Sequence, residues 1–154
     1  MKSLAHQLML DVEVITEELN FIPKDNFIHK EHPYVASKKE RIGYLVNQAI
    51  YFSSFLLKGR FNEETLYLDW QEEKAEEGGK YENYEQARLI SIWAELNTNI
   101  AGMVENLGEE QVSSLHKVSI EGNEREVDIH LIVERYLDLL DEEIHEVLSP
   151  MKAL

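Results

Sequence analysis

The chain has 154 residues, no cysteine, and 30 acidic against 15 basic residues, a formal net charge of −15. The lack of cysteine excludes disulfides, thiolate metal sites and cysteine nucleophiles. The charge argues against nucleic acid and anionic membranes as partners, because phosphate backbones are held by clustered Lys and Arg. Apolar residues make up 44% and charged residues 29%, an ordinary globular balance. This length reads as one domain over residues 1–154 with room for a sizeable core.

The first helical pattern runs roughly from Lys2 to Leu19, with Leu4, Leu8, Val12, Ile15 and Leu19 at helical spacing. Acids come too early in it for a secretory leader, and no run of about 18 apolar residues occurs to span a membrane. The reading is a cytoplasmic, soluble protein without a membrane partner. The segment NFIPKDNFIHKEHPYVA follows as a loop. Ser37 opens the second helix with Glu40 three residues later, the pattern of a capping box. Its main apolar set is Ile42, Leu45, Val46, Ala49, Ile50, Leu56 and Leu57. Opposite that set lie Tyr44, Gln48, Tyr51 and Phe55, a second aromatic face. Such a face is core, or it lines a pocket, or it meets a partner.

A long acidic stretch from Asn62 to Glu82, with the Gly78-Gly79 pair near its end, reads as a solvated connection. The third helix begins near Tyr84 and carries Leu89, Trp93, Leu96, Ile100, Met103, Val104 and Leu107 on one stripe, with Gly108 at the expected C-terminal cap. VSIEGNEREV reads as a turn around Gly122-Asn123, with at most a short extended piece. The last helix runs from about Val127 to Leu148 and stops at Ser149-Pro150. Four amphipathic helices with no strand pattern of weight predict an all-α, four-helix bundle.

On a helical wheel the last helix gathers Ile129, Ile132, Val133, Tyr136, Leu140, Ile144 and Val147 on one arc, with Leu139 on its flank. Glu134, Asp138, Asp141 and His145 form the opposite, solvated stripe. Glu143 falls inside the apolar arc. A carboxylate there finds a partner or is protonated, or the arc is wide at that end and the side chain snorkels out. Six histidines are scattered along the chain. His29 and His32 in HKEH, and Asp141 with His145, could hold a surface ion weakly, but each reads more simply as a solvated residue.

The order of these pieces resembles the DinB/YfiT-like family of metal-dependent enzymes. SKKERIGYLVNQA looks like that family's second-helix pattern S-x-x-E-x-x-G-H-L-x-D, and LYLDWQEE is similar to a Tyr- and Trp-bearing segment. LISIWAELNTNIAGMVENL looks like L-I-x-x-W-x-x-x-N, and LIVERYLDLLDEEIHEV like the last-helix pattern L-I-x-D-Y-x-x-H-L-x-H-H-L-x-Q-I. The resemblance covers most of the chain, and it is the order and spacing that carry it. It implies a four-helix bundle with an unusual connection order, a homodimer, and zinc or nickel held by three histidines in a cleft. Members include thiol-dependent transferases and hydrolases.

Carried over residue by residue, the three histidine positions fall on Tyr44, Leu139 and Glu143. A phenol, an alkyl group and a carboxylate do not make the three-ligand set of a catalytic zinc. The expectation is therefore a metal-free domain with no catalytic residue and no cofactor. It would be a small-ligand-binding or interaction protein with Tyr44, Gln48, Tyr51, Leu139 and Glu143 at a pocket, and with the Tyr44 hydroxyl donating to Glu143. The alternative is a metal-dependent hydrolase or thiol transferase with relocated ligands drawn from His29, His32, Asp141, Glu143 and His145. A two-residue slide of the last helix would favour that alternative by aligning Asp141 and His145 with the histidine pair. A third reading is a structural bundle whose aromatic second-helix face is simply core. The identity of the small molecule is not legible in the sequence.

Overall fold

The computed structural model describes residues 1–58, 66–67, 78–120 and 122–150. Most of them are helical. In chain order the elements are α1 (Lys2–Asn20), α2 (Lys24–Ile28), α3 (Lys38–Lys58), β1 (Leu66–Tyr67), α4 (Gln86–Glu105), α5 (Glu109–Ser113), β2 (Leu115–Ile120), β3 (Asn123–Asp128) and α6 (Ile129–Leu148). Among the described residues no helix is long and apolar enough to cross a membrane.

Local chemistry sets the helix ends. At the start of α3 the Ser37 hydroxyl accepts from the Glu40 backbone N–H while the Glu40 carboxylate accepts from the Ser37 N–H, both at 3.0 Å. The predicted capping box is formed. Burial pushes the Glu40 carboxyl upward, but the Ser37 and Lys30 hydrogen bonds outweigh it and leave the group below its ordinary range. Asp128 caps α6 by accepting from Leu131 N at 2.9 Å. Gly108 does not cap α4 in the left-handed region as expected; with φ −74° it is the N-cap of α5. The α4 helix ends instead on Asn106, whose N–H reaches Gly102 O.

The long helices bury apolar stripes against one another in an order the chain does not follow. The α1 helix packs chiefly on α4, α4 also on α3, and α6 leans on α1 and α3, while α1 and α3 hardly touch. The buried apolar residues form one cluster, led by Trp93, Phe27, Phe52, Leu8, Leu19 and Ile42. Each fully buried large side chain contributes roughly 1.5–3 kcal/mol. Phe27 anchors α2, a five-residue helix too short to show a period in the sequence, which the loop reading passed over.

Two expectations need correction. The short extended piece allowed around Gly122-Asn123 is a full hairpin over Leu115–Asp128, longer than the turn expected there. β2 and β3 pair antiparallel from Leu115↔Asp128 to Ile120↔Asn123, and β1 adds a parallel edge at Leu66↔Val118. The hairpin turns at Gly122, whose φ of +79° lies in the left-handed region that glycine adopts freely. Nor is the glycine pair wholly solvated. Gly78 is buried, and a Cβ there would meet the Glu40 carbonyl oxygen at 1.8 Å. A Cβ on Gly43 would likewise meet Gly78 O at 2.7 Å. Backbone lies on backbone there, and glycine on both sides is what lets it. Of the acidic connection, residues 62–65 and 68–77 lie outside the described residues.

Candidate functional site

The start of α3 and the end of α6 lie side by side, and two cations one turn apart on α3 join them. Arg41 Nη1 donates to Glu143 Oε1 at 2.5 Å. Lys38 Nζ donates to the carbonyl oxygens of Val147 and, at 2.8 Å, Ser149. Val147 lies in the last turn of α6 and Ser149 is its C-cap, where carbonyls have no partner within the helix, and a cation suits that end of the helix dipole. Burial lowers the Lys38 pKa, with Glu146 and Glu31 opposing the shift.

Glu143 answers the question its position raises. It is 6% exposed, so it does not snorkel out. Burial pushes its carboxyl above the ordinary range, and the Arg41 hydrogen bond and charge offset that only in part. An ion pair taken this far out of water holds because its partners match. Removing one of them leaves an uncompensated charge.

Beside the pair opens a cleft of ≈ 410 Å³ whose wall includes His29, Glu31, Lys38, Arg41, Glu146 and Ser149. Both signs of charge face it, an ammonium and a guanidinium against two carboxylates. That lining suits a small polar or zwitterionic molecule better than an apolar one. None of the five expected pocket residues, Tyr44, Gln48, Tyr51, Leu139 and Glu143, is among its lining residues; Glu143 reaches it only through Arg41.

Tyr44, Gln48, Tyr51 and Leu139 are placed otherwise. Tyr44 is buried, and its hydroxyl accepts from Gln48 Nε2 at 2.8 Å. Leu139 is partly buried against the apolar cluster. Tyr51 is 41% exposed, whereas its neighbour Phe52 is 1% exposed. Of the aromatic face of α3, Tyr44 and Phe55 are buried and only Tyr51 is exposed, while Ile50 and Leu57 of the main stripe are exposed as well. The hydrogen bond to Glu143 comes from Arg41, three residues before Tyr44, which was passed over. A usable signal existed: a basic residue one turn from a suspect tyrosine, in a strongly acidic chain.

The residues at the three positions that the resemblance assigns to histidines do not fit a zinc or nickel ion. Leu139 has no donor, Glu143 is engaged by Arg41, and the Tyr44 hydroxyl by the Gln48 amide. The relocated ligands do not gather either. His29, His32, Asp141 and His145 are exposed, and His32 Nδ1 accepts from Tyr34 N at 3.3 Å. Among the described residues no three of His, Asp and Glu come together to hold a metal. The two-residue slide is not the arrangement found, since Tyr136 is buried while Asp141 and His145 face outward. Burial raises the Asp141 carboxyl, and Asp11 and Asp138 add repulsion.

A second polar contact lies deeper in the core. Tyr136 OH donates to Asn97 Oδ1 at 2.6 Å, and Asn97 Nδ2 donates to Trp93 O at 2.9 Å. The Tyr136 ring stacks on Phe52 at 4.2 Å. Burial pushes the Tyr136 hydroxyl well above the ordinary phenol range, so it stays a neutral donor. Compared with family models, curated proteins and solved structures, the chain matches none.

Proposed function

We propose that this chain is a four-helix bundle of the DinB/YfiT type whose metal position has been given over to the Arg41–Glu143 ion pair. It acts without metal and without catalysis, as a homodimeric module that binds a small polar molecule in the cleft beside that pair. The observation that carries the reading is Glu143, buried on the apolar face of α6 and held by Arg41 at 2.5 Å. A carboxylate left at an inherited ligand position would keep its affinity for a cation, and here a guanidinium supplies the cation. Lys38, Arg41, Glu31 and Glu146 give the cleft paired charges that a small polar ligand can match.

Elemental mass spectrometry after loading with zinc or nickel and dialysis tests the reading. The expected result is metal far below one ion per chain, both in the native sequence and in Glu143→Gln. One ion per chain, lost in Glu143→Gln, would overturn it in favour of a metalloenzyme.

A further inference from the structure

A second cavity, of ≈ 580 Å³, opens beside the start of α3 and shares no lining residue with the cleft described above. Three ammonium groups line it: Lys24 from α2, Lys30 from the link behind α2, and Lys39 from α3. Its carboxylates are two, Glu40 and Glu82. Acids outnumber bases by 30 to 15 over the whole chain, so a cavity with the opposite balance stands out. The excess is local. Five of the 15 bases fall between Lys24 and Arg41, against three acids, Asp25, Glu31 and Glu40.

Two of the lysines are held in place, and donors remain unmatched. Lys30 pairs with Glu40 at 3.0 Å, and Glu40 is itself fixed by the Ser37 N–H of the capping box. Lys39 Nζ donates to the backbone oxygen of Glu82 at 2.6 Å, a neutral acceptor. Lys24 has no ion pair or side-chain hydrogen bond among the described residues. An ammonium carries three donors and no acceptor, so Lys24 and Lys39 keep donors for a ligand. Part of the wall is backbone. Gly78 lies on the Glu40 carbonyl, which fixes that stretch. Its neighbour Gly79 has no such reason to be glycine: its φ is outside the left-handed region, and a Cβ there would meet nothing within 4 Å. The missing side chain leaves the wall bare, open to the close approach of a ligand.

From this we infer that the cavity binds a small phosphate monoester, with Lys24, Lys30 and Lys39 on the phosphate and Ile28 against the organic part. A phosphate dianion spreads its charge over three oxygens and accepts from several directions, which suits ammonium groups carried by separate segments. Ile28, 50% exposed, is the large apolar residue of the lining. The volume exceeds that of a bare phosphate and lies in the range of small-molecule sites. The overall charge of the chain repels an extended polyanion, but a small ligand answers to the charges within a Debye length of about 8 Å. The site is separate from the cleft beside Arg41 and stands or falls without it.

The test is an amide-resolved NMR titration at about pH 7.5, where phosphate monoesters are dianions. Phenyl phosphate, inorganic phosphate and succinate are the probes, at constant ionic strength. Phenyl phosphate is expected to saturate at millimolar or lower concentration and to shift the amides of Lys24, Ser37, Lys39, Gly78 and Gly79. Inorganic phosphate should shift the same amides with weaker affinity, and succinate should shift them least. Lys24→Gln removes no polar contact of the fold, which circular dichroism checks. It is expected to weaken phenyl phosphate at least ~10-fold, the worth of a hydrogen bond to a charged group. Gly79→Asp has room for its side chain, sets a carboxylate on the wall, and is expected to abolish saturation. Shifts that never saturate, or that scatter over every lysine of the chain, overturn the site, as does an affinity unchanged in either variant. Succinate binding as tightly as phenyl phosphate overturns the phosphate assignment, and equal affinity for the two phosphates overturns the monoester.

Discussion

Two polar contacts sit on the same face of α6, two turns apart, and they are built on opposite plans. Tyr136 and Asn97 make a neutral, buried contact, flanked by Phe52 and by the carbonyl of Trp93. Glu143 and Arg41 make a charged contact at the rim, beside a cleft. The first changes charge at no accessible pH and serves to join α4 to α6. The second keeps two charges in a place where apolar side chains would fit the stripe as well. A buried polar group can be retained for packing specificity alone, but here the cation of the pair, Arg41, also lines a cleft where a ligand could meet it. That difference is why one is read here as structure and the other as a site.

Breaking the charged contact has the largest expected effect. Arg41→Ala leaves Glu143 buried without its cation and should cost about 3–5 kcal/mol in urea unfolding. Replacing both partners, Arg41→Met with Glu143→Leu, should recover most of that loss. A single-variant cost below ~1 kcal/mol would mean that Glu143 relaxes to solvent, and the contrast would collapse. Tyr136→Phe comes next. It strands the Asn97 carbonyl oxygen in the core and should cost about 1–3 kcal/mol, read from the same unfolding curves.

The smallest effect is with pH, and only the charged contact should respond. The folded-state pKa of Glu143 lies above its ordinary 4.5, so the folded chain holds that proton more tightly than the unfolded chain does. Its contribution to stability is therefore greatest at low pH and falls as pH rises from 4.5 through the raised value. Asp11 and Asp141, raised by burial from 3.8, act with the same sign. Glu40 acts in the opposite sense but only below its ordinary range, where its lowered pKa gives stability that acid removes. The melting temperature should rise as pH falls from neutral through the raised Glu143 value toward 4.5, and Glu143→Gln should flatten part of that slope. An unchanged slope in the variant would place the titration on the aspartates alone.

What could be read in advance follows from the range of each interaction. Helix periodicity and capping are local, so the Ser37 box, the α6 arc and the anomaly of Glu143 were all legible. Arg41 and Glu143 are 102 residues apart, and no local pattern pairs them. The close approach of Gly78 to the Glu40 carbonyl is also non-local, so the glycines read as loop. The extent of the hairpin was not legible because β3 buries only Val127 among its six residues, and its polar remainder reads as turn. Tyr51 and Phe52 show the limit of a helical wheel. An error of one residue, ~100° on the wheel, separates a half-exposed ring from a core ring.

The order in which the helices pack also governs how the chain is made. The main partner of α1 begins at Gln86, past the middle of the sequence. While α2 and α3 leave the ribosome, the apolar face of α1 has little to close upon, because α1 and α3 hardly touch. At ~5–20 residues per second, α1 stays uncovered for several seconds before α4 appears. Through that interval it must stay soluble on its own charges, and four of its nineteen residues, Asp11, Glu13, Glu17 and Glu18, are acids. The acidity that sets this chain apart is thus also a safeguard during synthesis, placed on the helix that waits longest for its partner.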